Sequence, residues 1–361
     1  MNNNKVLLLQ KRPDESFPQN MNFFEIQEQT TPQLNKGEIL IRVLFIGIDP
    51  VMRVWLSGAK TYIDSVQIGQ VMPAFGVGQC IESNAKNWNV GQLVFGILEC
   101  AQYCVRKINK LFKVPSFVEI GDPIIPLTLS IYGVTGLTAL NAMKQIPESN
   151  RPNKENQKTL CVSSAAGSTG SVVCQIAKRM GYRVIGIVSS QEKVQFLQEL
   201  GVDECVTYNE CKHNEEINVN QLTKLIKQKS SQGIDVYYDN AGEEILDAVI
   251  PTINKNGYVL LCGATSTYNS WKQRCGLKNL AIAIQNSIKF EGIMFLNEKQ
   301  KMYDGFAEMV EMVNEGFIKH QEEILLGIEQ FVIGLQNVFL GKNKGKTIIQ
   351  IYDNQYQQAK L

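Results

Sequence analysis

CVSSAAGSTGSVVCQIAKRMGYRVIGIVSSQEK, residues Cys161 to Lys193, decides how the rest of the chain is read. An apolar run leads into the turn Gly167-Ser168-Thr169-Gly170, a helical pattern follows it, and a second apolar run, Tyr182 to Ser190, closes the unit. A glycine pair that ends a strand and opens a helix, inside a βαβ unit of about thirty residues, is the placement that a dinucleotide's pyrophosphate requires. Unpaired N–H groups and the helix dipole favour an anion at that N-terminus, and a Cβ at Gly167 or Gly170 is expected to hold the backbone away from it. Ala165 stands where the full Gly-x-Gly-x-x-Gly pattern has its first glycine. A flexible corner without a ligand is therefore the other reading of the same residues.

Working outward, the same alternation continues on both sides. The pattern predicts a helix over Tyr132–Met143, a buried strand over Lys158–Ser164, a helix over Ser171–Met180 and a strand over Tyr182–Ser190. It goes on with a helix over Val194–Leu200, a strand over Asp203–Tyr208 and a helix over Gln221–Lys229. Then come a strand over Ile234–Asp239, a helix over Leu246–Ile253 and a strand over Gly257–Gly263. Strand alternating with helix implies an α/β fold with a doubly wound parallel sheet. The polar run Asn209–Asn220 reads as a solvated loop, and its His213 as a surface residue. The first ~125 residues differ: short alternating stretches such as EILIRVLFIGID (Glu38–Asp49) and GQLVFGILECAQYCVRK (Gly91–Lys107), broken by turn residues, suggest a small β-rich, barrel-like unit. At 361 residues the chain exceeds the size at which a single core stops growing, so two domains are expected. We place them at 1–130 completed by 312–361, and at 131–311.

Cofactor choice is written at the tip of the strand that follows the glycine turn. NAD is usually held there by a carboxylate on the ribose hydroxyls, whereas a 2′-phosphate wants positive charge and hydroxyl donors. The tip reads Val188-Ser189-Ser190-Gln191-Glu192-Lys193. It carries no acid at the tip itself and a lysine just beyond, which favours NADP, as NADPH; Glu192 is the dissenting residue, and it also suits the first turn of a helix as a complement to the dipole. Two more strand ends, Tyr237-Tyr-Asp-Asn240-Ala-Gly242 and Leu261-Cys262-Gly263-Ala264-Thr265-Ser266-Thr267-Tyr268-Asn, should open onto the same crevice and could face the nicotinamide. Ordinary Asx or glycine turns would look the same.

Composition limits the partners. Thirty-six Lys and Arg against thirty-five Asp and Glu leave no global field to steer the protein to nucleic acid or an anionic membrane. No segment offers the ~18 apolar residues of a membrane span, and the N-terminal apolar run is too short for a signal peptide. A cytoplasmic protein with a small-molecule substrate is expected. Nine cysteines lack any framework spacing and read as reduced, mostly buried thiols. Two histidines, His213 and His320, stand in no ligand-like cluster, and Cys100 with Cys104 alone cannot make a tetrahedral site. No bound metal is expected. Hydride transfer to an already polarised carbon–carbon double bond then asks least of the protein, because the cofactor supplies the hydride and hydrogen bonds stabilise the enolate.

Taken jointly, the motifs Ile48-Asp-Pro-Val-Met-Arg53, Tyr132-Gly-Val-Thr-Gly-Leu-Thr-Ala139, Ala165-Ala-Gly-Ser-Thr-Gly-Ser-Val-Val173 with Gln175-Ile-Ala-Lys178, Tyr238-Asp-Asn-Ala-Gly242, Cys262 to Asn269 and Gly345-Lys-Thr347 carry a family resemblance. Nearly end to end, the chain resembles the zinc-independent medium-chain dehydrogenase/reductases, in the branch of prostaglandin reductases (leukotriene B4 12-hydroxydehydrogenases) and alkenal double-bond reductases. The resemblance implies a GroES-like β-rich domain built from both chain ends, a Rossmann domain inserted between them, and a homodimer. It implies that Gly167 to Gly170 meet the pyrophosphate, Lys193, with Ser190, the 2′-phosphate, and Tyr208 the adenosine side. Asn240, the turn from Cys262 to Tyr268, the strand end Ile293-Met294-Phe295 and Asn343 would surround the nicotinamide half.

In that branch NADPH reduces the double bond of α,β-unsaturated ketones and aldehydes. The departures concern hydroxyls. Val51 occupies the place of a family tyrosine, and a second active-site tyrosine corresponds by count to Gln285. Tyr62 and Tyr268 remain as catalytic candidates, with water as another proton source. Arg53 either shapes the cleft or holds its loop by a salt bridge. A zinc-free quinone oxidoreductase and a non-catalytic NADP-binding protein stay open beside the 2-alkenal/enone reductase.

Overall fold

The computed structural model describes residues 3–14, 16–59, 63–213, 216–269, 276–294 and 299–352. The chain divides into two compact units, Met1–Gly133 with Gln321–Leu361, and Val134–His320. A second crossing at 311/312, as expected above, would cut a continuous helix, Lys299–Asn314. The division falls beyond it because that helix packs within the inserted unit, where Gly305 approaches Leu137 and Asn141.

Among the described residues the inserted unit holds a six-stranded, all-parallel sheet and, within the stretch expected as a solvated loop, a short antiparallel pair, Lys212–His213 with Glu216–Ile217. The strands of the parallel sheet are β1 (Thr159–Ser163), β2 (Arg183–Val188), β3 (Glu204–Thr207), β4 (Ile234–Asp239), β5 (Ile253–Leu261) and β6 (Lys289–Gly292). They lie in the order β3-β2-β1-β4-β5-β6, the doubly wound arrangement that puts a topological switch between β1 and β4. The helices are α1 (Val134–Gln145), α2 (Ser168–Arg179), α3 (Gln191–Glu199), α4 (Val219–Lys229), α5 (Glu243–Val249), α6 (Leu280–Gln285) and α7 (Lys299–Asn314). Strand side chains alternate between faces. Cys161, Ile185, Ile187, Tyr237 and Val259 join Leu222, Ile226, Ile245 and Val249 of α4 and α5 in one core, while Gly186 faces Ala165 and Leu197 on the other side. β1 is buried along its whole length, as a central parallel strand covered on both faces must be.

Several boundaries differ from the pattern reading: α3 and α5 each start three residues early and β5 four. The helix expected over Leu246–Ile253 stops at Val249, and a 3₁₀ turn with Pro251 leads into β5 at Ile253. Proline has no N–H to give and fixes its φ, so the α-helix cannot run on. α2 begins at Ser168, three residues earlier than expected, with Gly167 as its N-cap.

The other unit holds a seven-stranded sheet and a separate antiparallel pair, Asn3–Leu9 with Phe24–Thr30. The central strand Glu38–Gly47 is almost wholly buried and pairs antiparallel with Pro73–Ser83, Tyr103–Lys107 and, from the far end of the chain, Lys346–Gln350. Lys346 and Asp49 form a buried ion pair there, and Lys346 Nζ also donates to the Ile48 carbonyl at 3.0 Å. No helix among the described residues is long and apolar enough to cross a membrane.

Candidate active site

The registers of the parallel sheet align its C-terminal edge: Ser163 on β1 pairs with Ile187, Val188 with Thr207, Asp239 with Leu261, and Leu261 with Gly292. Every turn singled out from the sequence in this unit follows one of these strand ends. The first is the glycine turn. A Cβ on Gly170 would lie 2.4 Å from the Ser164 carbonyl oxygen, and one on Gly167 3.1 Å from the same atom. Gly170 is therefore required by the close approach of α2 to its own strand turn, not only by a ligand's approach as the sequence suggested. Ala165 is fully buried; it is accommodated because its neighbour on β2 is Gly186, where an added Cβ would lie 3.1 Å from the Ala165 Cβ. Ser168 Oγ donates to Thr135 Oγ1 at 3.0 Å, which ties the first turn of α2 to the first turn of α1. Thr135 lay inside a quoted motif without a role; nothing in local sequence pairs it with Ser168, 33 residues away.

At the tip of β2, Ser190 caps α3 and Lys193 sits in its first turn. Lys193 is half-buried, and burial lowers its pKa, with Glu192 as the charged neighbour acting the other way. The strand register brings Tyr208, just past β3, beside Ser189, and burial raises the phenol's pKa. Two serines, a half-buried ammonium and a tyrosine thus converge on one corner that holds no carboxylate at the strand tip. This chemistry fits a ribose 2′-phosphate.

The opposite half of the edge is organised by a carboxylate. Asp239, 1% exposed, gathers four donors on Oδ1: Ser163 Oγ at 3.0 Å, Tyr237 OH at 2.8 Å, and the N–H groups of Ala241 and Gly242 at 3.0 Å each. Ser163 Oγ in turn accepts from the N–H groups of Asn240 and Ala241, and the Asn240 amide donates to the Ser163 carbonyl at 2.8 Å. Burial pushes the Asp239 pKa up, against the four donors that favour its charged form. The Asp239 carbonyl accepts the N–H groups of Cys262 and Gly263. Thr265 Oγ1 donates to the Asn240 carbonyl and Ser266 Oγ to that of Ala241. The 240–242 turn and the 262–267 turn are thereby one hydrogen-bonded body. Gly263 sits 3.0 Å, from an added Cβ, to the Asn240 carbonyl oxygen, Ala264 and Thr267 complete the 3₁₀ turn, and half-buried Tyr268 follows it.

Ile293 extends the ladder by donating its N–H to the Leu261 carbonyl, and Met294 beside it is 54% exposed. Cys262 is partly exposed on this edge, but burial raises its thiol pKa to about 11, so it is a poor nucleophile. Phe295 and Tyr62 lie outside the described residues. Asn343 belongs to the other unit, where its amide donates to the Gly345 carbonyl at 2.8 Å. In that unit Val51 caps a short helix, Met52–Trp55. The salt bridge considered for Arg53 is not made among the described residues: the guanidinium lies over the Phe17 ring at 5.0 Å, and burial lowers its pKa. Gln285 ends α6, before β6 begins, next to Asn286, whose carbonyl accepts the Asn256 N–H. It stands at the N-terminal edge of its own sheet, opposite the cofactor edge, so the count that set it in a family tyrosine's place does not bring it to this site.

Among the described residues no three of His, Cys, Asp and Glu gather into a group that could hold a metal. Residues 5–114 match the family described as the N-terminal domain of oxidoreductase, and residues 168–314 the family described as zinc-binding dehydrogenase. Rat prostaglandin reductase 1 is 31% identical over 94% of this chain and 97% of its own length. The NADPH-dependent curcumin reductase of Escherichia coli is 30% identical over 96% of this chain and 97% of its own. The crystal structure of CurA from Vibrio vulnificus in complex with NADPH superposes with a TM-score of 0.83 at 28% identity, covering 97% of this chain and 99% of that one. With two such relatives matched almost end to end, the chain belongs to the medium-chain dehydrogenase/reductases, in the zinc-independent branch of the prostaglandin and curcumin reductases.

Proposed function

We propose that this protein reduces the carbon–carbon double bond of α,β-unsaturated ketones and aldehydes, with NADPH as its cofactor. The observation that carries the cofactor is the β2 tip: Ser189, Ser190 and a half-buried Lys193, with Tyr208 at its side. The double-bond chemistry rests on the relatives, one a prostaglandin reductase and the other a curcumin reductase. Bound on this edge, NADPH supplies the hydride that the β-carbon of the enone takes up. The chain's own part is to hold and orient. Ser168, Thr169 and Gly170 offer backbone N–H groups at the start of α2 to the pyrophosphate, and Gly167, whose own N–H donates to the Ser164 carbonyl at 2.9 Å, meets it as the N-cap. Ser190 and Lys193 take the 2′-phosphate and Tyr208 the adenosine. Asn240, Cys262 through Tyr268, Ile293, Met294, Phe295 and Asn343 frame the nicotinamide. Tyr268 and Tyr62 are the hydroxyls assigned to the substrate carbonyl, and protonation of the enolate then comes from one of them or from water.

The protein works as a cytoplasmic homodimer in this reading. β6 pairs with β5 on one side and with no described strand on the other; Phe290 on it and Met294 just past it are 37 and 54% exposed, and Leu280 and Ile284 on α6, the helix that leads into it, are 50 and 75% exposed. An open strand edge flanked by apolar side chains suits pairing with a second copy. The eight described cysteines are free thiols, in keeping with a reducing compartment.

The test is the loss of NADPH absorbance with a medium-chain trans-2-alkenal, beside the same assay with NADH and with a simple quinone. Turnover of the alkenal with NADPH alone supports the whole reading. Preference for the quinone would move the protein to quinone reduction, and tight NADPH binding with no turnover of either would make it a binding protein.

A further inference from the structure

We infer that Asp239 is the positioning residue for the nicotinamide half of the cofactor site, holding the 240–242 and 262–267 turns in a geometry that they would not keep by themselves. The inference rests on the NADPH reading and goes beyond it, because Asp239 is 1% exposed and acts through its neighbours. One carboxylate oxygen collects four donors from three places: the end of β1 through Ser163, its own strand through Tyr237, and the following turn through Ala241 and Gly242. The second oxygen, Oδ2, has no hydrogen-bond partner among the described residues. Burying a carboxylate with one oxygen unsatisfied costs stability that an apolar side chain would not.

What the arrangement secures is backbone. Gly242 has φ +77° and ψ −169°, Glu243 φ +37°, and Ser164, next to Ser163, φ +48°. Three positive φ values around one carboxylate, two of them on residues with a Cβ, persist only where the surroundings over-determine them. Asp239 and Ser163 supply that over-determination. The adenosine-side residues Ser190, Lys193 and Tyr208 hang on β2 and β3, on the far side of β1 from Asp239. The two halves of the site are therefore separable by experiment.

Asp239→Ala, Asp239→Asn and Ser163→Ala are each titrated with 2′,5′-ADP, which carries only the adenosine half, and with NADPH. For Asp239→Ala, removal of the shared acceptor should weaken NADPH about tenfold or more while 2′,5′-ADP stays within about twofold. Asp239→Asn keeps an oxygen for the same donors and should recover most of the loss. Ser163→Ala should show the same split, and it decides the matter with Asp239→Asn if the alanine variant does not fold. Parallel losses for both ligands would reduce Asp239 to a general structural role, and no loss for either would overturn the inference outright. Failure of the unaltered protein to bind 2′,5′-ADP would instead bring down the NADPH reading itself.

Discussion

Lys193→Ala is the perturbation that bears most directly on the cofactor. The ammonium sits in the first turn of α3, half-buried, with Glu192 as its charged neighbour. A hydrogen bond to a charged group contributes about 1.5–3 kcal/mol, and partial exposure argues for the middle of that range, about 2 kcal/mol. At about 1.4 kcal/mol per factor of ten, NADPH should bind about 30-fold more weakly, whereas NADH, which has no 2′-phosphate, should change by less than about twofold. Fluorescence titration of both cofactors measures the split. Burial lowers the Lys193 pKa, so in the free protein the side chain loses its charge at a lower pH than an exposed lysine does. The charged form is the one that binds phosphate; NADPH affinity should be full below that pKa and fall as pH rises through it, while the NADH affinity stays flat. The alanine variant should lose this pH dependence, and its melting temperature without cofactor should be unchanged or higher, since a group that burial disfavours as a cation has been removed. Equal losses for NADPH and NADH would refute the reasoning and move the phosphate site elsewhere.

Gly170→Ala places a Cβ 2.4 Å from the Ser164 carbonyl oxygen, against 3.1 Å for Gly167→Ala. The first should abolish NADPH binding and lower the melting temperature, and the second should cost clearly less; the reverse order in melts and titrations would contradict the packing role given to Gly170. Lys346→Met strands Asp49 in a buried position, a loss of about 3–5 kcal/mol, readable as a drop of the chemical denaturation midpoint in that unit; a change below about 1 kcal/mol would show the pair to be dispensable. Ile284→Glu puts a charge on the exposed face of α6, the helix that leads into β6, and should shift the protein toward monomer in sedimentation velocity; an unchanged oligomeric state would mean that copies meet elsewhere or not at all.

Much of the inserted unit was legible because its strands are continuous apolar runs and its glycine turn has a fixed place between strand and helix. The helix end at Val249 was missed although Pro251 announces it, and the apolar spacing of Met302, Phe306, Met309 and Met312 would have kept the domain boundary out of α7. β6 is a four-residue strand with little burial, too short to leave a period. The hardest part to read was the Asp239 network: its partner Ser163 is 76 residues away, so the sequence displays a motif while the reason for it exists only across the sheet. Ala165 is the converse case, a departure from pattern that Gly186 resolves on the neighbouring strand.

The pairing of Lys346–Gln350 with Glu38–Gly47 has a temporal side. Asp49 and Lys346 are 297 residues apart, and at a synthesis rate of about 5–20 residues per second the carboxylate waits about 15–60 s for its lysine. Through that interval the nascent chain carries the C-terminal end of Glu38–Gly47, Phe45 to Gly47, without its late partner, since Tyr103–Lys107 can cover only Glu38 to Arg42, while everything from Val134 to His320 emerges as a contiguous stretch able to form its parallel sheet. The inserted unit is thus positioned to fold first on the ribosome, and the chain that was made earliest is completed last.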